Sequence, residues 1–189
     1  MALTLITGGA RSGKSRFAED LARAAGDRIL YVATATAVDP VDDTIDPEMA
    51  DRIGRHRARR PASWSTLEEP RHVRQAVAEY LAGDSRPPDA LLLDCLTLLL
   101  SNWLMEDLDD GALMERAEGL AGYFANLTLP VIAVTNEVGL SLVPDNRLGR
   151  RFRDLAGLVN QCFAAASEEV YVLWSGIPVQ IKPAAAQGR

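Results

Sequence analysis

The sequence predicts an α/β fold: a mostly parallel sheet with helices on both faces. Short apolar segments alternate along the chain with longer segments of helical periodicity, which is typical of parallel strands covered by helices on both sides. The first apolar segment ends in glycines and leads directly into a helix. The 189 residues, 48% of them hydrophobic, suit one domain, so we expect a single domain over residues 1–182 and a frayed tail over 183–189.

The first half of the chain is expected to contain three strands and three helices. Leu3–Thr7 is an apolar, β-prone segment that stops at two glycines, which predicts a buried strand. Asp46, Pro47 and Glu48 predict a helix start, because Asp caps free N–H groups, Pro suits the first turn and Glu faces the positive end of the helix dipole. The elements expected here are helices over 15–25, 46–59 and 71–81 and further strands over 29–33 and 64–67, with an acidic loop over 39–46.

The second half continues this alternation. Ala90–Asp94 is apolar up to a terminal carboxylate, which predicts a buried strand. Apolar residues that recur on one helical face indicate a long helix within residues 145–166. The other expected elements are helices over 97–105 and 113–125 and strands over 131–135, 170–174 and 179–181.

Composition argues against several classes of protein. The formal net charge of −6 argues against general nucleic-acid binding. Cys95 and Cys162 are too few for a disulfide framework and have apolar neighbours, which indicates buried free thiols. The longest apolar segment is interrupted by Asp94 and Asn102, and the N-terminus has no basic segment. We therefore expect no membrane span, no signal peptide and a cytoplasmic location.

The segment after the first strand fits the phosphate-loop pattern G-x-x-x-x-G-K-[ST]. Such a loop turns backbone N–H groups toward phosphate oxygens, while its lysine reaches the β- and γ-phosphates and its hydroxyl binds Mg²⁺. Lys14 and Lys182 are the only lysines in a chain that otherwise uses arginine, and a compact ammonium suits this loop. The sequence thus predicts a RecA-like P-loop nucleotide-binding domain, with phosphate contacts from Gly8, Gly9, Ala10, Arg11, Ser12, Gly13, Lys14 and Ser15.

Two carboxylates follow buried strands and are therefore expected at the sheet edge that holds the phosphate loop. Asp94 ends its strand where P-loop proteins place a second metal-associated carboxylate, so Ser15 and Asp94 are the candidate Mg²⁺ ligands. The alternative is that Asp94 caps the next helix. Glu137 follows the strand over 131–135 and meets the same criterion, and for it a structural and a functional role are equally open.

An arginine-rich segment with one histidine lies on the predicted second helix. Arg52, His56 and Arg59 or Arg60 are spaced for one face, where positive charges repel each other unless an anion neutralises them. This field favours a neutral imidazole, which can attack the α-phosphate of a nucleotide and carry the nucleotidyl group. The alternative is a solvated face with a structural histidine. His72 is expected at a solvated helix end.

These residues are compatible with a kinase, a motor ATPase or a nucleotidyl transferase. A small-molecule P-loop kinase would use the arginine-rich helix as a phosphate lid and would have no chemical use for His56. A RecA-like ATPase or a nucleic-acid-binding module is disfavoured by the net charge and by the lack of aromatic residues among those arginines.

Several longer segments resemble one family. They are TGGARSGKS at 7–15, YVATAT at 31–36, EMADRIGRHRARRPASWSTLE at 48–68, LLLDCLT at 91–97, TNEVG at 135–139 and PDNRLGRRFRDLAGLVNQ at 144–161. The patterns RIxxHxxxRPxxWxTLE and TNEVG…NRLxRxFRDxxGxxNQ are far more specific than the phosphate loop. With these segments in family order, the sequence resembles the bifunctional adenosylcobinamide kinase/adenosylcobinamide-phosphate guanylyltransferases of cobalamin biosynthesis.

The resemblance implies two reactions: phosphorylation of adenosylcobinamide with GTP or ATP, and transfer of GMP from GTP to the product. It implies that His56 is the catalytic residue that carries the guanylyl group and that the protein is a homotrimer. The loop after Thr36 is longer and more acidic than is usual in the family. Other nucleotide contacts implied by the resemblance are Thr34, Ala35, Thr36, Arg57, Ala58, Arg59, Arg60, Glu68 and Asp94.

Overall fold

The computed structural model describes residues 3–37, 44–58, 60–83 and 86–183, and for Arg52 it describes the backbone only. Predictions that concern Arg59, the side chain of Arg52, most of the acidic loop or the tail from residue 184 lie outside this described part.

Strands and helices alternate as expected. The elements are β1 Leu3–Gly8, α1 Lys14–Ala25, β2 Ile29–Ala33, α2 Pro47–Ala58, β3 Ser65–Glu68, α3 Val73–Gly83, β4 Ala90–Asp94, α4 Leu96–Leu104, α5 Asp110–Ala125, β5 Val131–Val134, α6 Arg147–Ala166, β6 Glu169–Trp174 and β7 Ile177–Lys182. None of the helices in the described part of the chain is long and apolar enough to cross a membrane.

The strands form one sheet in the order β3-β2-β4-β5-β1-β6-β7. The first six strands run parallel to their neighbours, and β7 pairs with β6 in the antiparallel direction. This confirms the predicted fold class. The last strand, expected over 179–181, is longer and closes a hairpin, because Ser175 and Gly176 both have positive φ angles (52° and 85°) that fit a tight turn between antiparallel strands.

Two apolar layers bury the sheet. One layer joins Leu3 and Leu5 of β1 to helices α3, α4, α5 and α6, with Phe124 and Phe163 fully enclosed. The other joins Ile6 of β1 to the apolar face of α1. Because successive strand residues point to opposite faces, the continuous apolar sequence of β1 serves both layers.

Side-chain caps set the starts of several helices. Asp46 accepts hydrogen bonds from the N–H groups of Glu48 (2.9 Å) and Met49 (3.1 Å), which confirms the predicted start of α2. Asp109 caps α5 through the N–H of Ala112, so that helix begins at Asp110, earlier than the apolar periodicity indicated.

The strand register brings four strand ends to one level. Asp94 of β4 lies opposite Ala33 of β2 on one side and Val134 of β5 on the other. Val134 in turn lies opposite Ile6 of β1, two residues before the end of that strand. The carboxyl edge of the sheet therefore carries the residues that follow β1, β2, β4 and β5.

Candidate nucleotide site at the carboxyl edge of the sheet

The phosphate loop connects β1 to α1 through a backbone that requires glycine. Gly8 has φ 144°, and a Cβ atom there would lie 2.5 Å from the carbonyl oxygen of Leu173. Gly13 caps α1 in the left-handed region, at φ 97°. Side chains are strained at such φ angles, so glycine is required where the loop leaves β1 and where it enters the helix.

The ammonium of Lys14 is held inside this loop. Lys14 is 6% exposed, and its Nζ donates a hydrogen bond to the Gly9 carbonyl at 2.5 Å and one to Ser12 Oγ at 3.5 Å. The hairpin turn supports the loop from the other side, because the N–H of Gly176 donates to the Ser12 carbonyl at 3.0 Å. Ser15 follows in the first turn of α1, half-buried. This geometry is that of a phosphate-binding loop.

Glu137 lies at the base of the loop and links it to its neighbours. Its carboxylate accepts hydrogen bonds from the Thr7 hydroxyl at 2.6 Å and from Asn160 Nδ2 at 3.1 Å, while its N–H donates to the Gly8 carbonyl at 3.1 Å. These contacts give Glu137 a structural role. Asn160 also accepts from the Thr135 hydroxyl at 2.7 Å. The sequence analysis includes Asn160 in the pattern NRLxRxFRDxxGxxNQ but assigns it no role, although a polar residue on the buried face of α6 is a signal of such a network.

A second group of polar side chains surrounds Asp94, and we call His56, Asp94, Tyr31 and Arg60 the Asp94 cluster. Asp94 Oδ2 accepts a hydrogen bond from the Tyr31 hydroxyl at 2.7 Å and lies 4.0 Å from His56 Nδ1. The Arg60 guanidinium carbon lies 3.4 Å from the centre of the Tyr31 ring, a cation–π contact. Burial, and next the negative charge of Asp94, raise the pKa of Tyr31, so its hydroxyl keeps the proton that it donates.

The positive charges of α2 are partly neutralised within the protein. Arg55 pairs with Asp51 at 2.8 Å, and Arg57 pairs with Glu68 of β3. Ala58 is exposed and ends the helix, so Arg60 follows it in the loop rather than on its face.

The other histidine is not part of this group. His72 is exposed immediately before α3, which confirms the expected solvated helix end.

Thr34 links two strand ends with its side chain. It is fully buried, and its hydroxyl accepts the N–H of Cys95 and donates to the Cys95 carbonyl, both at 2.8 Å. Its own carbonyl accepts from Asn102 Nδ2 at 2.9 Å. Ala35 and Thr36 are half-buried beyond it. The hydroxyl of Thr34 therefore joins β2 to the segment that follows β4.

The predicted site residues form two groups at one edge. The residues of the phosphate loop follow β1. The Asp94 cluster lies beside β2, which contains Tyr31, and β4, which ends at Asp94, and β5 separates β4 from β1. Tyr31 is the member of this site that the sequence analysis did not single out. Tyr31 lies in the segment YVATAT, but a tyrosine in an apolar strand gives no signal of a carboxylate partner 63 positions away.

The chain is similar to known proteins over nearly its whole length. The family model described as cobinamide kinase / cobinamide phosphate guanyltransferase matches residues 4–181. The chain is 44% identical over 194 residues to the bifunctional adenosylcobalamin biosynthesis protein CobU of Salmonella typhimurium (strain LT2), with 95% of this chain and 99% of that protein covered. It is 44% identical over 178 residues to the corresponding protein CobP of Pseudomonas aeruginosa (strain PAO1), with 94% and 96% covered.

Among solved structures, the chain resembles the KaiC-like protein PH0186 of Pyrococcus horikoshii OT3. The TM-score is 0.49 at 15% identity, and the match covers 90% of this chain and 70% of that chain.

Proposed function

The chain belongs to the cobinamide kinase / cobinamide phosphate guanyltransferase family, and we propose that it performs both reactions of that name. It phosphorylates adenosylcobinamide with GTP or ATP, and it then transfers GMP from GTP to the phosphate product through a covalent GMP–histidine intermediate, giving adenosylcobinamide-GDP. The observation that carries this proposal is the pair of groups at one sheet edge: a complete phosphate loop, and a histidine beside a carboxylate.

The phosphate loop binds the triphosphate of the nucleotide. Its backbone N–H groups and the Lys14 ammonium stabilise the negative charge that develops on the transferred phosphoryl group. Ser15 and Asp94 are oxygen donors, the kind of ligand that Mg²⁺ prefers. Asp94 ends β4 and Ser15 follows β1 in the first turn of α1, and β5 alone lies between these two strands. We propose that they hold Mg²⁺, which supplies charge neutralisation between the phosphates when it is bound.

His56 is the nucleophile of the second reaction. Its imidazole attacks the α-phosphorus of GTP and pyrophosphate leaves; the phosphate of the corrinoid then attacks the phosphorus and releases the histidine. The division into two steps lets two large substrates use the site in turn. The positive side chains that follow His56 stabilise the phosphates. The further nucleotide contacts that we propose are Ala35, Thr36, Arg57, Ala58, Arg59, Arg60 and Glu68. Thr34, expected among them, is fully buried, and its bonds to Cys95 hold the segment that carries Ala35 and Thr36.

Three further features belong to this proposal. The protein acts as a homotrimer, it is cytoplasmic, and its acceptor is a corrinoid rather than a nucleic acid. The net charge of −6 and the internal pairing of Arg55 and Arg57 support the last of these, because a protein that follows a nucleic-acid backbone needs a continuous positive surface.

The proposal is tested by the intact mass of the protein after incubation with GTP and Mg²⁺ without corrinoid. We expect the wild type to gain the mass of one GMP and His56→Ala to gain none. His72→Ala is the matched control, because it removes the only other histidine, and it should be labelled like the wild type. A folded, GTP-binding wild type without an adduct would exclude the covalent step and favour a P-loop kinase without nucleotidyl transfer.

A further inference from the structure

The contacts of Asp94 distinguish the two ring nitrogens of His56. Nδ1 lies 4.0 Å from Asp94 Oδ2, and both side chains are largely enclosed, with 24% and 15% of their surfaces exposed. The same carboxylate oxygen accepts the hydrogen bond of the Tyr31 hydroxyl at 2.7 Å. Nδ1 is therefore the ring nitrogen that faces a fixed anionic oxygen.

Asp94 is fixed from the neighbouring strand. Its backbone carbonyl accepts the N–H of Thr34 at 3.2 Å, and Tyr31, also on the β2 side, holds its carboxylate. Tyr31 is itself 2% exposed and packs below the guanidinium of Arg60. A carboxylate held in this way gives a neighbouring ring N–H a defined direction.

From this geometry we infer that Asp94, supported by Tyr31, orients the ring of His56 so that Nε2 is the atom that receives the guanylyl group. The inference rests on the proposed function. A phosphate that approached Nδ1 would bring its anionic oxygens against Asp94 Oδ2, which is an unfavourable contact between like charges, whereas approach at Nε2 avoids it. The separation of 4.0 Å is longer than a hydrogen bond, and we expect it to shorten when the nucleotide binds.

The transfer of the guanylyl group to His56 and then to the acceptor phosphate needs no proton acceptor on the ring. The lone pair of Nε2 forms a bond to the α-phosphorus of GTP, the bond from that phosphorus to the bridging oxygen breaks, and pyrophosphate leaves with the electron pair. The ring then carries phosphorus on Nε2, hydrogen on Nδ1 and a positive charge that Asp94 balances. When an oxygen of the acceptor phosphate attacks, the P–N bond breaks and its electron pair returns to Nε2.

The test is the position of phosphorus on the ring, read by NMR on protein with ¹⁵N-labelled histidine. The chain has only two histidines, so His56→Ala assigns the signals. After incubation with GTP and Mg²⁺ we expect phosphorus–nitrogen coupling at Nε2. Phosphorus on Nδ1 would overturn the inference and leave the proposed function intact. A folded, GTP-binding protein with no adduct would overturn both.

The resting protein gives a second readout that does not depend on transfer. At a pH where the ring of His56 is neutral, we expect the hydrogen on Nδ1, directed at Asp94, and in Asp94→Asn we expect a mixture of the two tautomers. Hydrogen on Nε2 in the wild type, or an unchanged spectrum in Asp94→Asn, would overturn the orienting role.

The contribution of Tyr31 is tested by Tyr31→Phe, which keeps the ring below Arg60 and removes only the hydroxyl. We expect guanylylation of His56 to slow about tenfold and the fraction of the Nε2–H tautomer to rise. Tyr171→Phe is the matched control, since Tyr171 also donates to a carboxylate, Glu169 at 3.3 Å, but on β6. A rate and a spectrum equal to those of this control would overturn the role of Tyr31.

Discussion

Replacement of Thr34 by valine tests whether its hydroxyl serves the fold or the nucleotide. Valine has nearly the same shape, so the change removes one buried hydroxyl and leaves the packing intact. In the structure this hydroxyl is the partner of both the N–H and the carbonyl of Cys95, and Thr34 is fully buried. The change therefore acts on two hydrogen bonds that join β2 to the segment after β4.

The expected loss of stability in Thr34→Val is the sum of the losses of these two hydrogen bonds. The N–H of Cys95 loses this acceptor inside the core, which costs about 1–3 kcal/mol. The Cys95 carbonyl still accepts from the N–H of Leu99 at 3.1 Å, so its loss is smaller, about 0.5 kcal/mol. Together we expect the free energy of unfolding to fall by about 1.5–3.5 kcal/mol, which corresponds to a decrease in Tm of roughly 3–14 °C for a chain of this size.

The assay is urea unfolding followed by circular dichroism, at one protein concentration for all variants. Thr128→Val is the matched control, because Thr128 is exposed in the loop between α5 and β5, and we expect a change below about 0.5 kcal/mol. If Thr34→Val unfolds like this control and only its GTP affinity falls, the hydroxyl serves the nucleotide and the reasoning from its buried contacts is wrong.

Three further predictions concern the loop and the thiols. Lys14→Ala should weaken GTP binding at least about tenfold in calorimetry, because a charged hydrogen-bond donor is lost, and an equal Kd would contradict this. Gly8→Ala should lower the free energy of unfolding by about 1–3 kcal/mol in urea, because its Cβ meets the Leu173 carbonyl; Gly9→Ala, which has open space, is the control. Burial, and next the Asp94 charge, raise the pKa of Cys95 to about 12, whereas Cys162, which was expected to be buried, is only half-buried. Peptide mapping after native thiol labelling should therefore find Cys162 modified and Cys95 not; equal labelling would contradict it.

The central strands could be predicted from the sequence almost to the residue. Ile29–Ala33 and Ala90–Asp94 have the bounds that were expected, because central parallel strands are buried on both faces and therefore leave a continuous apolar segment. The phosphate loop was predictable because its pattern is short and continuous in the sequence. The backbone conformation at Gly8 and Gly13 requires glycine, so the loop can be recognised from a few consecutive residues.

The contacts across the sheet could not be predicted in this way. Two such contacts are the hydrogen bond of Tyr31 to Asp94 and that of Thr7 to Glu137. They form only because particular strands become neighbours in the sheet, and the sequence around each residue does not indicate which strands these are. The hairpin of β6 and β7 is a similar case. Its sequence indicated one short strand at 179–181, whereas the antiparallel direction depends on the positive φ angles of Ser175 and Gly176.

The phosphate loop and the helix that carries His56 differ in burial, so variants of the two have different effects on stability. Every residue of β1, which leads into the phosphate loop, is buried, whereas no residue of α2 with a described side chain is buried. Burial of apolar surface is the main source of stability, so variants at the base of the loop change stability and chemistry together. His56 on α2 contributes to the site through its position beside Asp94. We therefore expect His56→Ala to keep the unfolding curve of the wild type, so that loss of guanylyl labelling in that variant reports on the chemistry of the histidine and not on the fold.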